Sequence, residues 1–159
     1  MTGEEKIKQE LTEKFNYLKD SIVIKRERRI FVDVSCEQWP QVFDYLVKNM
    51  RFSMLSAITG LDEGNTFGVI YHVSRDGCIL LNLKTHLSRE NPSLDTITSY
   101  FPSADIYERE LMDLFGIRVT GLGAGQRYPL ADNWPKDQFP LRKDWKGPVP
   151  LKKEASENA

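Results

Sequence analysis

Apolar residues in the first part of the chain recur with two different periods. Between residues 4 and 19 they are three or four positions apart, which predicts an amphipathic helix. These apolar positions are Ile7, Leu11, Phe15 and Leu18. In IVIKRERRIFVDVS, residues 22–35, the period becomes two, and the charged KRERR predicts a turn between two strands.

A second helix is predicted after these strands. Ser35 and Gln38 have the S-x-x-Q spacing of a capping box, in which both side chains bond to backbone N–H groups of the first turn. Pro40 suits that first turn because the earliest N–H groups of a helix have no partner within it. The buried stripe of the helix consists of Val42, Phe43, Leu46 and Val47.

The middle of the chain is dominated by a predicted β-hairpin. FGVIYHV (residues 67–73) and CILLNLK (residues 78–84) flank SRDG, and both have the alternation and the β-branched or aromatic content of strands. TGLDEGNT, residues 59–66, is predicted to be a loop because of its glycines and acids.

A third helix is predicted downstream of the hairpin. Asn91 as the cap and Pro92 at the first helical position start it, and Pro102 ends it. Its inward residues are Leu94, Ile97 and Phe101.

YERELMDLFGI, residues 107–117, lies in a last predicted helix. Ser103 caps this helix, which runs from about Ala104 to Phe115 and stops at Gly116, because a left-handed glycine often closes a helix. One side is apolar and predicted to face the core, with Tyr107, Leu111, Leu114 and Phe115.

The other side of this helix carries three carboxylates and an arginine. Arg109 and Asp113 are spaced i, i+4, and Glu110 and Asp113 are spaced i, i+3, which predicts an ion-pair network on a solvated face. The alternative is a small acid/base enzyme that uses Glu108, Glu110 or Asp113. Such an enzyme needs a pocket beside the helix and a carboxylate with a raised pKa.

From residue 121 the composition shifts to glycine, proline, tryptophan and basic residues with little periodicity. This predicts a core domain over residues 1–120, an extended Pro-rich arm over residues 121–150 and a disordered tail over residues 151–159. Aromatic and arginine side chains are common interface anchors, which favours an arm that docks on another protein. An arm folded back on its own core fits the composition equally well.

Two other interpretations of the arm fit its sequence poorly. GLGAG lacks the third glycine of G-x-G-x-x-G, because position 126 is Gln126. Trp134, Phe139 and Trp145 have the character of side chains that stack single-stranded nucleic acid, but the aspartates between them oppose a phosphate backbone.

Composition places the 159-residue chain among ordinary single-domain proteins, with 40% hydrophobic and 28% charged residues. A formal net charge of -1 gives no field that gathers nucleic acid or anionic lipid. The two cysteines and two histidines lack the spacing of iron–sulfur or zinc sites. No apolar run reaches the roughly 18–20 residues that span a bilayer, and the polar N-terminus does not match a secretory signal, which predicts a soluble intracellular chain.

ERELMDLFGI (residues 108–117), then RYPL, then PLRKDW (residues 140–145) resemble the signature of the 30-kilodalton subunit, the C-type subunit, of respiratory complex I and its relatives. The resemblance covers about residues 20–147. It implies an α+β fold, a two-layer α/β sandwich with a mixed sheet and an extended C-terminal arm. It also implies a chain without a catalytic or redox centre, with iron–sulfur clusters and nickel–iron or flavin groups on partner subunits.

The implied partners are a hydrogenase-like large subunit, the D-type subunit of such complexes, and small iron–sulfur subunits, with no nucleic acid. The implied location is cytoplasmic and peripheral, where only the partners reach the membrane. Partner contacts are expected from the motif helix and from the arm. The helix residues are Glu108, Arg109, Glu110, Asp113 and Phe115. The arm residues are Arg127, Trp134, Pro140, Leu141, Arg142, Lys143, Asp144 and Trp145.

The implied function is that of a scaffold in a complex-I-like, ion-translocating oxidoreductase, either a quinone-reducing dehydrogenase or a membrane-bound hydrogenase. WPKDQFPLRKDW looks more like the versions in energy-converting nickel–iron hydrogenases and formate hydrogenlyases. We expect Arg109 to pair with a carboxylate of its own helix or of the partner, and Arg142 and Lys143 to meet an acidic partner surface.

Overall fold

The computed structural model describes residues 1–75 and 79–147. Its helices are α1 (Gly3–Lys14), α2 (Trp39–Lys48) and α3 (Ala104–Phe115), and a 3-10 turn covers Asn16–Leu18. The first five strands are β1 (Ile22–Arg26), β2 (Arg29–Val34), β3 (Met54–Asp62), β4 (Thr66–Arg75) and β5 (Ile79–Ser88). Two short strands follow, β6 (Ser93–Asp95) and β7 (Arg118–Thr120).

The main sheet has five strands in the order β1-β2-β5-β4-β3. The central β2–β5 pair is parallel and the other three pairs are antiparallel. β6 and β7 form a separate parallel pair. The predicted α+β fold with a mixed sheet is therefore confirmed.

One face of the main sheet forms the core, because alternate residues of neighbouring strands lie in register on it. Tyr71 of β4 pairs with Leu83 of β5, and Leu83 pairs with Val32 of β2. Helix α2 covers this face: the Trp39 ring stacks on the Tyr71 ring with centroids 4.8 Å apart, and Phe43 packs beside them.

The first two helices differ from the sequence prediction at their ends. α1 ends at Lys14, and the two later apolar positions are buried outside it, Phe15 directly after the helix and Leu18 in the following 3-10 turn. A capping box is present at α1, between Thr2 and Glu5. The capping box predicted at α2 is absent. Ser35 donates to the Gln38 side chain and not to the backbone, and the helix begins at Trp39.

Two segments were assigned to the wrong element. Residues 59–62, predicted to be loop, belong to strand β3, which was not predicted at all. The helix predicted from Asn91 is wrong, because Ser93–Asp95 pairs with Arg118–Thr120 in the β6–β7 ladder. The three residues predicted to face inward are buried, but they do not lie on a helix. Leu94 is in β6, and Ile97 and Phe101 are in the turns that follow it.

Strands β4 and β5 confirm the predicted hairpin, although the three residues between them, 76–78, lie outside the described residues, as do residues 148–159. Cys36 is a half-buried free thiol, and burial raises its pKa.

Within residues 1–75 and 79–147, no helix has the length and hydropathy that crossing a bilayer requires.

Candidate functional site

Helix α3, which carries most of the ERELMDLFGI motif, lies against strand β3 at a glycine. A methyl group on Gly60 would fall 2.6 Å from the Phe115 ring and 2.8 Å from Leu111. The helix ends as predicted at Gly116, which has a φ of 68° and donates its N–H to the last turn. Ser103 occupies the cap position, but its side chain makes no cap hydrogen bond. The absence of a side chain at Gly60 thus lets the helix approach the sheet closely.

Glu108 is buried, contrary to the prediction of a solvated charged face. It is 2% exposed, and both carboxylate oxygens accept hydrogen bonds. The Thr96 hydroxyl donates to one oxygen at 2.6 Å, and the Ile97 N–H donates to the other at 2.7 Å. Burial raises the pKa of Glu108, although these hydrogen bonds act in the opposite direction. The carboxylate holds the turn after β6 against α3 and is not accessible as an acid or base to a surface substrate.

The raised pKa gives a prediction for Glu108→Gln. Between the ordinary carboxyl pKa of 4.5 and the raised native pKa, the unfolded chain ionises while the native state keeps its proton. Wild-type stability should therefore fall as pH rises through this interval, and the variant should lack this loss. Urea denaturation at pH 4.5 and pH 8 measures both proteins. The free energy of unfolding of the variant, relative to wild type, should be higher at pH 8 than at pH 4.5. A change in the opposite direction would contradict the assignment.

Asp113 ties the first part of the arm to α3. Arg127 Nε donates to one carboxylate oxygen of Asp113, and the Leu130 N–H donates to the other at 2.9 Å. Arg127 also donates to the Trp134 carbonyl at 2.7 Å. Since Asp113 is 8% exposed, it is part of the interior, and its ion-pair partner is Arg127 of the arm and not Arg109 at i, i+4 spacing.

Arg109 pairs with Asp105, one turn earlier on α3, through two hydrogen bonds of 2.8 and 2.9 Å. This confirms the expectation of a carboxylate partner on its own helix. The same guanidinium donates to the carbonyl of Gly123 at 3.0 Å, within the GLGAG segment. This glycine-rich turn therefore lies against the helix that precedes it.

Asp62, at the end of β3, joins three segments. Its carboxylate accepts hydrogen bonds from the Gly64 N–H, from Arg89 and from the Lys143 N–H of the arm, each at 2.8 Å. Its side chain is 2% exposed. Hydrogen bonds to Arg89, Lys143 and Gly64 outweigh the effect of burial and lower the pKa of Asp62 to about 2. This carboxylate therefore connects the β3–β4 turn, the end of β5 and the arm.

Two guanidinium groups lie over the buried ring of Phe67. Arg89 is 4.8 Å and Arg142 is 5.0 Å from the ring centroid, and Arg142 is also 4.4 Å from that of Phe139. Arg142 Nε donates to the Phe115 carbonyl at 2.6 Å, and burial lowers the pKa of Arg142. Because Arg142 is held by its own chain, charge reversal there should disturb the arm as well as any partner contact. Lys143, whose side chain is exposed, is the cleaner probe of the acidic surface expected for both residues.

The remaining predicted site residues lie in the arm or beside it. The Trp134 Nε1–H donates to the Gln138 carbonyl at 2.8 Å, and the Trp134 and Trp145 rings are 5.9 Å apart. Asp144 pairs with Arg89 at 2.9 Å. Leu141 is 51% exposed, although its N–H donates to the Leu114 carbonyl of α3. Glu110 and Pro140 are half-buried.

Four residues that hold the arm had not been singled out for this role from the sequence: Asp62, Phe67, Arg89 and Phe139. Asp62 has a local signal, because an aspartate two residues before a glycine often bonds to that glycine's N–H. No local pattern indicates its bonds to Arg89 and Lys143, which come from distant parts of the chain. The structure thus brings most of the predicted helix and arm residues together in one cluster, organised around residues outside the motif.

The sequence profile of a known family decides the affiliation of the chain. The family described as "Respiratory-chain NADH dehydrogenase, 30 Kd subunit" matches residues 32–150, which include α3 and the described arm. The chain belongs to the 30 Kd subunit family. The resemblance seen in ERELMDLFGI and PLRKDW is therefore confirmed.

Two members of the 30 Kd subunit family differ in how much of their length this chain spans. The C-type subunit of the F(420)H(2) dehydrogenase of Methanosarcina mazei is 30% identical over 140 residues, with 86% of this chain and 88% of that protein covered. The combined C/D-type subunit of the NADH-quinone oxidoreductase of Proteus mirabilis is 36% identical over 124 residues. That match covers 70% of this chain but only 20% of the Proteus protein.

The fold of this 30 Kd subunit family member also has a solved counterpart. A chain in the structure of the membrane-bound sulfane sulfur reductase (MBS), an archaeal respiratory membrane complex, superposes with a TM-score of 0.77 at 24% sequence identity. The superposition covers 89% of this chain and 84% of that chain. At this identity the likeness establishes the fold.

Proposed function

We propose that this chain is a non-catalytic scaffold in the peripheral arm of a complex-I-like, ion-translocating oxidoreductase. Membership of the 30 Kd subunit family carries this proposal. The chain holds a hydrogenase-like large subunit and small iron–sulfur subunits in fixed positions. The redox groups belong to those partners, and only the partners reach the membrane.

The contacts around α3 support a structural role for the motif. Glu108 binds the turn before the helix, Asp113 binds Arg127, and the carbonyl of Phe115 binds Arg142. Asp113 of the motif and Arg142 of PLRKDW are thus used inside the chain to hold the arm. A rigid arm suits a scaffold, because an error of about 1 Å in the position of reacting groups can already impair chemistry that depends on alignment.

The name of the Proteus mirabilis relative supports the choice of the large subunit as the main partner. That protein is named for both the C-type and the D-type subunit, and this chain matches 20% of its length. Where these two subunits are parts of one polypeptide, they remain close together. We extend this neighbourhood to the separate chain here, with its α3 and arm as the surface nearest the large subunit.

The electron donor and acceptor are properties of the partner subunits. The relatives include proteins named for F(420)H(2) and for NADH and quinone. The WPKDQFPLRKDW arm favours a hydrogenase-type assembly on sequence resemblance alone. Nickel-binding cysteines in the co-purified large subunit would indicate the hydrogenase branch, and their absence would indicate the dehydrogenase branch.

The test is affinity purification of the tagged full chain from gently solubilised native membranes, followed by size-exclusion chromatography and quantitative mass spectrometry. We expect a large subunit and iron–sulfur subunits in equal amounts with the chain, in one high-mass peak. Recovery of the chain alone, or with proteins unrelated to such a complex, would reject the proposal.

A further inference from the structure

The described arm, residues 121–147, lies against the core but is not enclosed by it. It contains no helix or strand, and none of its residues is fully buried. Its large aromatic residues Tyr128, Trp134, Phe139 and Trp145 all remain partly exposed. A surface segment with this many partly exposed aromatic side chains is typical of a surface that binds another protein.

Two adjacent depressions open to solvent along the arm, and the first of them lies between the arm and α3. The first has a volume of about 450 Å³ and is lined by Arg109 and Met112 of α3 and by Tyr128 and Lys136 of the arm, among others. The second has a volume of about 340 Å³, with Trp145, Arg142 and Lys146 in its wall. Phe139 lines both, so the two depressions adjoin at this ring.

The first depression has an apolar part. Met112 and Tyr128 are 38% and 43% exposed, which places them among the more exposed large apolar side chains of the described residues. Both depressions are wide open to solvent, unlike the enclosed pockets that bury most of a small ligand. Their shape suits side chains of an extended protein segment.

The charges around the depressions leave a positive excess. Some of these charges are neutralised within ion pairs: Arg109 with Asp105, Arg127 with Asp113, and Asp144 with Arg89. Of the other charged residues that line the two depressions, Lys136, Arg142 and Lys146 are basic, and Asp132 and Asp137 are acidic. None of these five forms an ion pair within residues 1–75 and 79–147. The surface therefore complements a segment that carries more acidic than basic residues.

We propose that the two depressions beside Phe139 bind one extended segment of the large subunit, with apolar side chains flanked by Asp or Glu. The proposal rests on the proposed function and specifies the surface on which the large subunit lies. The apolar side chains occupy the depressions on either side of the Phe139 ring. The acidic residues lie beside Lys136, Lys146 and the guanidinium of Arg142.

Site-specific photocrosslinking in the assembled complex tests the location. A benzophenone amino acid replaces Tyr128 in one variant and Phe31 in a control variant. Phe31 is an exposed aromatic residue, 37% exposed, on β2 and on the sheet face opposite the core. The expected product at position 128 is a large-subunit peptide with acidic and apolar residues. A crosslink from position 128 to another subunit or to a second copy, or none, would overturn the proposal, as would a large-subunit peptide found only from position 31.

Charge reversal tests the chemistry. Lys136→Glu with Lys146→Glu changes two exposed lysines of the depressions, and Lys19→Glu with Lys25→Glu changes two exposed lysines elsewhere. The first pair should weaken retention of the large subunit by the tagged full chain about tenfold at low salt, and less at high salt, because exposed charge pairs are screened. Equal effects of the two pairs would overturn the proposal. If wild-type chain retains no large subunit, the proposed function fails first, and this assignment fails with it.

Discussion

Asp62→Asn should release the end of the arm at Lys143 from the core. The asparagine keeps the size of the side chain but loses its charge, and its amide group faces donors from Arg89, Gly64 and Lys143. Arg89 keeps its ion pair with Asp144, so the loss is mainly that of hydrogen bonds to the charged Asp62 carboxylate, which costs about 2 kcal/mol. The population of chains in which this end of the arm is open should therefore rise roughly 30-fold.

Limited proteolysis measures this release. Trypsin cleaves after Lys136 and Arg127, which are in the arm, and cleavage of a transiently open segment follows the open population when reclosing is fast. Asp20→Asn, an exposed aspartate on the segment between α1 and β1, is the matched control and should leave the cleavage rate unchanged. An arm as resistant in Asp62→Asn as in wild type would show that this carboxylate does not hold it.

The same carboxylate makes arm attachment sensitive to acid. The native pKa of Asp62 is lowered from 3.8 to about 2, so its stabilising effect is complete above about pH 4 and is lost as pH falls toward 2. Wild-type arm should open progressively over this interval, as measured by hydrogen exchange of the Lys143 N–H. In Asp62→Asn, this part of the pH dependence should be absent.

Gly116→Ala is also expected to lower the stability strongly, because the added methyl group both strains the backbone and clashes with the arm. The residue has a φ of 68°, a left-handed conformation that costs an alanine roughly 1–2 kcal/mol. The added methyl group would also lie 2.6 Å from Arg142 Nη2 and 2.7 Å from the Phe139 ring. Since both neighbours belong to the arm, the arm must shift, and the total loss of stability should be about 3 kcal/mol.

Gly64→Ala separates backbone strain from the clash. Gly64 also has a positive φ, 89°, but nothing lies within 4 Å of the added methyl group. Urea denaturation should show a loss of about 1 kcal/mol for Gly64→Ala and about three times that for Gly116→Ala. Only Gly116→Ala should speed cleavage of the arm by trypsin. Equal losses in the two variants would mean that the arm does not rest on Gly116.

Helix α3 illustrates what local sequence predicts well. Its predicted limits, Ala104 and Phe115, are those observed, because the signals that end it lie at its own termini. Its charged face was misjudged, because the partners of Glu108 and Asp113 are Thr96, Ile97 and Arg127, all outside the helix. Sequence spacing indicates which residues share a helix face but gives no information about distant segments that cover it.

Strands β3 and β6 illustrate the other kind of error. The glycines and acids of TGLDEG are typical of a loop, yet residues 59–62 are paired with β4, and Gly60 is needed where α3 approaches the sheet. Asn91-Pro92 is typical of a helix start, but the following residues pair with β7. In both cases the tertiary partner overrides the local preference.

The sequence by itself determined the family, the hairpin, the limits of α3 and the presence of a Pro-rich segment after it. These features depend on residue types within a few positions of one another. Such neighbours determine which backbone conformation is favoured and how apolar and polar positions alternate along the chain. Only the tertiary structure decided that the arm lies on its own core, that Asp62 joins it to the end of β5, and that Glu108 and Asp113 of the motif are buried. Those outcomes require donors and acceptors from segments far apart in the chain to meet. Once they have met, the contacts persist because separating them would leave buried polar groups without partners.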